Sequence, residues 1–568
     1  MSRSANGLRD ALRAGSERLA AWSDLLDRIN VFPVADGDTG RNLTISLSPL
    51  RDHEAGRDRL VRDLLLSARG NSGNIAARFF SGLLAEQAED WPRGARRGRE
   101  LAWQAVADPQ PGTMLTLFDA LVYALDEGAS TEPTLERLER SVLQTRDTLP
   151  CLQDAGVVDA GALGMFIFWE AFLMTLQGRS GALRPIAGRF GDALVLREGY
   201  SRCDRGFCVD AVIERAGGPV PSRLREDYNS VVTISEGDLL KVHLHTEDTA
   251  RAREALEGLG SLLRWTAEDL GEQTARFARP GPSRPKLHVM TDAAGSFTRQ
   301  DARQLGVTLL HSYVTIGSRS VPETFLEPDE LYAAMGRGEP VSTSQASDFE
   351  RHQHFAKAVE IHGRALYLAV GSVYTGNVRA ALEWKKEHDP DERLIVIDSG
   401  AASGRLGLAA LRVARQALAE SDPERIVDLA RMAVSACEEY VFLDQLKFLA
   451  AGGRMSKTGA FFGDLLHFKP VVSPQPDGAR KVAVLRDERA QEDFALERLA
   501  ASFRPGTPGS AMLGYTDNRG RVERIADGLR NRFPGLEILI QPMSLTSGAH
   551  MGPGTWALAY LPGIEAAP

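Results

Sequence analysis

Two hydrophobic periods divide this chain. From Ala11 to about Leu183 apolar residues recur at the spacing of a buried helix face, as in LLDRI, LVRDLLLSA and ALVYAL. The run GMFIFWEAFLMTL is apolar on every side, which predicts a helix inside a core. Loops rich in glycine or bearing proline (VADGDTG, ARGNSG, DPQPGTM and AGVVDAGALG) interrupt these helices. The first third is therefore expected to be all-helical, with loops converging on one end of a bundle. From Leu194 to about Ala278 the period drops to two in FCVDAVIE, SVVTIS and LLKVHLHT, and a helix follows from Ala250 to Leu259. That is a small α+β unit. The stretch RFARPGPSRPK, 276–286, reads as a linker. Beyond it, LHVMTDAAGS, ALYLAVGSVYTGN and RLIVIDSGAASG each run strand, small-residue loop, helix. Such alternation predicts a mostly parallel sheet with ligands at the carboxyl ends of its strands. The expected divisions are 1–185, 186–278, a linker at 279–285, and 286–568.

Composition narrows the class. A chain of 568 residues is too long for one core. With 25% charged and 43% hydrophobic residues it has the make-up of an ordinary globular protein. A net charge of −9 without a basic tract leaves no electrostatic footprint for nucleic acid. The N-terminal MSRSANGLRDALRAGSERLAAW has no apolar signal core, and no run reaches the roughly 18 apolar residues of a membrane span. Four cysteines argue against a disulfide framework, so a cytoplasmic location is expected.

Three groups of residues carry candidate chemistry. In NVFPVADGDTGRN, residues 30–42, Asp36 and Asp38 flank one glycine. Two carboxylates on a tight turn suit a divalent metal that carries nucleotide phosphates. Gly37 allows the turn and Gly40 leaves room for a phosphate; such a stretch also occurs as a plain solvated Asp-Gly turn. Asn71, Ser72 and Gly73 open a helix and offer amides and a hydroxyl to phosphate, and PGTM at 111–114 and VVDAGALG at 157–164 add small-residue approaches. Each loop alone also reads as a helix cap. There is no GxxxxGK[ST].

In the second group, an extended KVHLHT places His243 and His245 on one strand face, and Cys208 on a neighbouring strand would complete a three-ligand set for a zinc-like metal. Cys203 fits no ligand spacing. The third group lies beyond the linker: Thr343 and Ser344 in VSTSQAS, Ser372 and Thr375 in VGSVYTGN, Arg454 in AGGRMSK, Lys469 in FKPVV, and Ser547 and His550 in SGAHMGPG. Hydroxyls, amides and an arginine fork at strand ends suit an anion such as a carboxylate; helix caps and a surface ion pair are the plainer use of the same residues.

In their order, DGDTG, ARGNSG, DPQPGTM and AGVVDAGALG make residues 1–185 resemble the nucleotide-binding domain of dihydroxyacetone kinases, and more closely the kinase subunit of bacterial fatty acid kinase. The resemblance implies an eight-helix barrel that binds ATP through two Mg²⁺ at Asp36 and Asp38, with Asn30 nearby. It extends the ATP-binding set to Thr39, Gly40, Asn42, Asn71, Ser72, Gly73, Thr113, Asp159 and Gly161. Arg41 stands where that family has a threonine, either reaching phosphate or crowding the pocket. The FC…KVHLHT pair is similar to the middle domain of the same kinase, which implies a metal site or a catalytic contribution at Cys208, His243 and His245. VMTD, TSQ, G-S-x-x-T-G, IDSG, GGRM, FKPVV and HxGPG make residues 286–564 resemble the DegV family of fatty-acid-binding proteins. That implies a two-lobed α/β fold around an acyl tunnel, with the carboxylate met by Thr343, Ser344, Ser372, Thr375, Arg454 and His550. Ala346, Ala293 and Asn377 depart from the family's proline, serine and threonine.

The whole sequence therefore predicts a multidomain protein: an all-α helical barrel, a small α+β domain and a two-lobed α/β domain. The expected activity is ATP- and Mg²⁺-dependent phosphorylation of a bound long-chain fatty acid to acyl-phosphate, with Zn²⁺ as a further metal, a homodimeric state and a downstream acyltransferase. A dihydroxyacetone kinase and a lipid-binding regulatory protein without turnover are the alternatives.

Overall fold

The computed structural model describes residues 5–51, 56–86, 90–200, 205–215, 223–277, 285–445, 447–448, 468–504 and 506–564. The chain forms two compact units, Met1–Pro280 and Gly281–Pro568.

In the first unit the helical periods fold as α1 (Ala5–Arg28), α2 (Thr39–Leu47), α3 (Arg57–Ser67), α4 (Gly70–Leu83), α5 (Trp91–Ala105), α6 (Met114–Asp126), α7 (Thr131–Thr148), α8 (Pro150–Ala155) and α9 (Ala160–Leu176). Helix α9 is buried from Ala160 to Met174, as a run apolar but for one residue requires, and packs against α1, α2, α6 and α7. Trp169 of α9 stacks with Phe80 and Trp91, and Phe168, Trp169 and Phe172 meet Phe80, Phe79 and Trp91 edge-on or tilted. The one acid in that run, Glu170, is paired with Arg18, Arg184 and Arg189. Burying it otherwise would leave an uncompensated charge in the core.

The period-two segments form an antiparallel sheet of β1 (Phe207–Glu214), β2 (Asn229–Glu236), β3 (Leu239–Thr246) and β4 (Ser261–Asp269), in the order β2-β3-β1-β4. The helix Thr249–Glu257 is N-capped by Asp248, which accepts from the amides of Ala250 and Arg251. Sheet and helices meet directly: the Ala107 amide donates to the Val231 carbonyl, and Arg264 donates to the Leu66 carbonyl at 3.1 Å.

In the second unit, β5 (His288–Asp292), β6 (Thr308–Leu310), β10 (Ala365–Ala369) and β11 (Leu394–Asp398) form a parallel sheet in the order β11-β10-β5-β6. These strands include the three strand–loop–helix units read from the sequence. Between them in the chain, β7 (Ser312–Ile316), β8 (Arg319–Pro322) and β9 (Val341–Gln345) make an antiparallel sheet of three. The remaining strands, β12 (Glu438–Phe442), β13 (Lys469–Gln475), β14 (Gly478–Leu485), β15 (Gly509–Tyr515), β16 (Leu536–Pro542) and β17 (Trp556–Pro562), form a six-stranded sheet. It is antiparallel except for the β15–β16 pair, so the expectation of a mostly parallel sheet holds for the first lobe alone. The physical reason is connection length: β13 and β14 are joined by the short turn Pro476-Asp477, which permits only a hairpin. The helix Ser403–Ala419 packs on β5 and on both β15 and β17, and Gly407 crosses so close to the Gly295 carbonyl that a Cβ would lie 1.9 Å from it. No helix among the described residues is long and apolar enough to cross a membrane.

Candidate active site

The aspartate turn is built by the end of α1 and the start of α2. Gly37 takes a left-handed φ of 67°, which swings the chain between the two acids. Asn30 donates to Asp36 and accepts from the Thr39 hydroxyl at 2.7 Å, pinning both sides of the turn. Asp38 holds the N-cap position of α2 without spending its side chain on a cap bond, which leaves the carboxylate for another partner. Burial and then the Asp38 charge push the Asp36 carboxyl well above the usual carboxylate range. Burial, with Glu268 and Asp27, raises Asp38 to about 6, and Arg41 works against that rise. Two half-buried acids that hold protons this firmly fit a divalent cation, which would neutralise both.

The glycines around this turn serve packing. A Cβ on Gly40 would lie 2.0 Å from the Ser23 carbonyl oxygen, on Gly70 2.2 Å from the Asn42 amide and on Gly73 2.1 Å from the Ser46 hydroxyl. Gly40 therefore lets α2 press on α1, where the sequence suggested room for phosphate. Thr113 caps α6 through Leu115 N, and Asp159 caps α9 through Ala162 N at 2.7 Å. The Asp159 carboxyl also takes the Met114 amide, joining the two helix starts, and burial raises it to about 7. Gly161 faces the Met114 methyl.

Antiparallel pairing of β1 and β3 sets Cys208 opposite His245 and Asp210 opposite His243. The ligand atoms of Cys208, His243 and His245 all lie within 4.8 Å of one another. His243 turns Nδ1 toward Asp210 Oδ2 at 3.4 Å, and its buried Nε2 has no hydrogen-bond partner among the described residues. Burial lowers His245 to about 3, so its imidazole is neutral and able to bind metal. Burial, then Asp210, Asp38 and Asp36, push the Cys208 thiol well above its ordinary value, a cost that a bound cation would offset. This set fits zinc in the manner of a three-ligand site with an open position. It also borders the aspartate turn, because Cys208 packs with Val34 and Leu270 in one apolar cluster.

The sequence reading does not single out Asp210 and Lys241. The signal is present: C-x-D on β1 and K-x-H-x-H on β3 put 208, 210, 241, 243 and 245 on one sheet face. Asp210 accepts from Gly70 N at 2.9 Å, Asn74 Nδ2 at 3.1 Å and Lys241 Nζ at 3.2 Å. Burial alone would raise its carboxyl; Lys241, His243 and the Gly70 amide together hold it below the usual range.

In the second unit the loops after β5, β10 and β11 meet at the carboxyl ends of the parallel strands. Thr343 of β9 reaches His550, on the helix Leu545–Met551, at 2.8 Å. Gln345 Oε1 accepts from Gly376 N and from Arg351, each at 2.8 Å, which braces the TSQ strand against the loop carrying Ser372 and Thr375. Asn377, the departure from threonine, is part of this brace: it accepts from Arg351 and donates to Asp292, each at 2.7 Å. Asp292 also takes the Tyr367 hydroxyl and the Val370 amide, and burial lifts it to about 6. The Ser372 amide donates to Asp398, and Thr375 Oγ1 accepts from Asn377 N. Ser344 is exposed on β9; Ala293 and Ala346 are buried. Ser547 bonds the Ser544 hydroxyl and Lys469 pairs with Asp444, so both have local roles. Arg454, like Cys203, lies outside the described residues.

These sites define a multidomain protein with a helical unit bearing an acidic turn, a small sheet bearing a Cys/His cluster, and an α/β unit with hydroxyl-lined loops. Family models agree: residues 33–174 match the DAK2 domain, 204–277 the middle domain of FakA-like fatty acid kinase proteins, and 286–563 the DegV family. The chain thus joins a DAK2 domain, a FakA-like middle domain and a DegV domain. Protein YloV of Bacillus subtilis is 27% identical over 349 residues, covering 53% of this chain and 63% of that protein, so this chain spans under two thirds of it. An uncharacterized protein of Staphylococcus aureus, SAR1202, is 26% identical over 440 residues, covering 67% of this chain and 78% of the relative. Among solved structures, a fatty-acid-binding DegV family protein from Thermus thermophilus aligns with a TM-score of 0.46 at 22% identity, over 49% of this chain and 99% of that one. DegV of Bacillus subtilis, a fatty acid binding protein, aligns with a TM-score of 0.45 at 21% identity, over 50% and 100%.

Proposed function

We propose that this protein is a fatty acid kinase with its lipid carrier fused in the same chain, making acyl-phosphate from ATP and a long-chain fatty acid. The observation that carries the reading is the presence in one polypeptide of a DAK2 domain, its fatty acid kinase-type middle domain and a DegV domain. The acidic turn supports it from the chemical side. Asp36 and Asp38 would hold Mg²⁺ on the nucleotide phosphates, and Asn30 and Thr39 fix the turn that aims them. Mg²⁺ there neutralises charge that builds up during phosphoryl transfer. The remaining amides at the start of α4, on Asn71, Ser72 and Gly73, face the phosphates, and the helical unit is the barrel that encloses them. Thr343, Ser344, Ser372, Thr375, Arg454 and His550 hold the acid's carboxylate.

A carboxylate oxygen bonds to the γ-phosphorus as the bond to the β,γ-bridging oxygen breaks; acyl-phosphate forms and ADP leaves with the electron pair. Fatty acid is insoluble, and each CH₂ the carrier removes from water contributes about 0.8 kcal/mol to holding it. Fusing carrier and kinase replaces bimolecular encounter with an effective concentration in about the millimolar range. Transfer runs within one chain where the linker brings the two sites together and between protomers of a dimer where it does not, and an acyltransferase takes the product. Zinc at Cys208, His243 and His245 would supply a Lewis acid beside the turn.

Purified protein incubated with Mg-ATP and a long-chain fatty acid tests the reading. Acyl-phosphate trapped with hydroxylamine is the expected result. Stimulation of ATP turnover by dihydroxyacetone instead would replace the substrate, and co-purifying fatty acid with no Mg-ATP binding would leave a lipid-binding protein. Elemental analysis checks the zinc.

A further inference from the structure

Resting on that reading, we infer that Asp210 is a positioning residue shared by the metal cluster and the nucleotide site, fixing His243 and the first turn of α4 in a single setting. The carboxylate stands between two elements that lie far apart in the sequence. Its Oδ2 takes the amide of Gly70, the first residue of α4, at 2.9 Å and lies 3.4 Å from His243 Nδ1. Its Oδ1 takes Asn74 Nδ2 at 3.1 Å and Lys241 Nζ at 3.2 Å. Four donors on one buried carboxylate leave it no freedom to favour one neighbour over another.

The arrangement has two consequences. On the sheet side, a carboxylate at Nδ1 fixes the proton there and presents Nε2 as the lone-pair nitrogen, the form a metal needs. Nε2 of His243 is buried and without a hydrogen-bond partner among the described residues, while Nδ1 is engaged by Asp210 and lies 3.9 Å from Cys208 Sγ. On the helix side, Asp210 supplies the cap that α4 lacks locally, since the N-cap residue Arg69 makes no side-chain cap bond. Gly70 has a left-handed φ of 62° and no space for a Cβ beside Asn42, so the turn before Asn71 and Ser72 is set by backbone placement alone. Asp210 anchors that placement. Lys241, 3% exposed, balances the buried charge and makes the pair removable as a unit.

The test uses the full chain and two binding measurements: zinc affinity by competition with a chromophoric chelator, and Mg-ATP affinity by calorimetry. Asp210→Asn is expected to weaken zinc about 10–100-fold, the range for a lost partner of a metal-bound histidine, and to weaken Mg-ATP at least tenfold as well. Asp210→Asn/Lys241→Met removes both buried charges together, so a folded protein with the same two losses is expected even if the single variant unfolds. A purely structural role would lower the melting temperature and leave both affinities of the folded protein within twofold; that result, or loss of one affinity alone, overturns the inference. Parent protein that binds no Mg-ATP overturns the proposed function along with it, whereas a binding parent with unaffected variants removes only the role of Asp210.

Discussion

Thr343 Oγ1 lies 2.8 Å from His550 Nε2, although 207 positions separate them. A strand from the first quarter of the second unit and a short helix near its end are thereby closed on each other. The contact joins a hydroxyl and an imidazole, two groups suited to meeting a carboxylate together.

His550→Ala is expected to raise the dissociation constant for a long-chain fatty acid about tenfold to a hundredfold, since a hydrogen bond to a charged group contributes roughly 1.5–3 kcal/mol. Mg-ATP affinity should not change. Fluorescent fatty acid displacement measures the first quantity, and an unchanged constant would remove His550 from the carboxylate site.

Asp38→Asn should abolish Mg-ATP binding and phosphoryl transfer while fatty acid still co-purifies. In metal-free buffer at pH 7 the same substitution should stabilise the fold, by on the order of 1 kcal/mol, because a carboxylate whose charge is disfavoured by burial is gone. Thermal melts with and without Mg²⁺ check both signs. Loss of bound lipid in this variant would contradict the division of labour between the units.

Glu323 gives a pH signature to the second unit. Burial raises its carboxyl from 4.5 to about 7, although it accepts the Thr546 amide at 3.0 Å. Between those two values the native state keeps a proton that the unfolded chain releases. Stability from this group is therefore full below about pH 4.5 and falls as pH rises toward 7, by up to about 1.4 kcal/mol per unit. Glu323→Gln should flatten that slope in denaturant titrations between pH 5 and 8; an unaltered slope would show that the group titrates normally.

Gly40→Ala should cost roughly 1–3 kcal/mol by overpacking α2 against α1. Gly56, with φ of −61° and nothing within 4 Å of a Cβ, should tolerate alanine within about 0.5 kcal/mol. Equal effects at the two positions would mean that the helix pair can separate without cost.

Helices and alternating strands are legible where one period runs without interruption, as in α9 and in β1 and β3. The Cys208, His243 and His245 cluster is legible because a strand repeats every two residues and its neighbour lies alongside. Asp210 and Lys241 obey the same rule but carry no metal-ligand signature of their own, so the sequence does not mark them. The mostly antiparallel second lobe is hidden because β12 to β17 are short runs, several of mixed polarity such as GARKVAVL, and a run of that kind does not encode its partner's direction. Gly40 and Gly73 read equally as space for a ligand or for a helix, and only the crossing of α1, α2 and α4 decides between them. Thr113 and Asp159 show their cap bonds plainly once α6 and α9 have defined starts.

The Gln345 bracket, with Arg351 and Asn377 behind it, makes the hydroxyl-bearing strand and its facing loop a single rigid piece. On the proposed fatty-acid reading, head-group recognition is thus insulated from whatever lines the rest of the lipid site. Over evolutionary time such a protein is free to exchange one acyl tail for another by drift in its apolar lining, without having to reinvent the grip on the acid end.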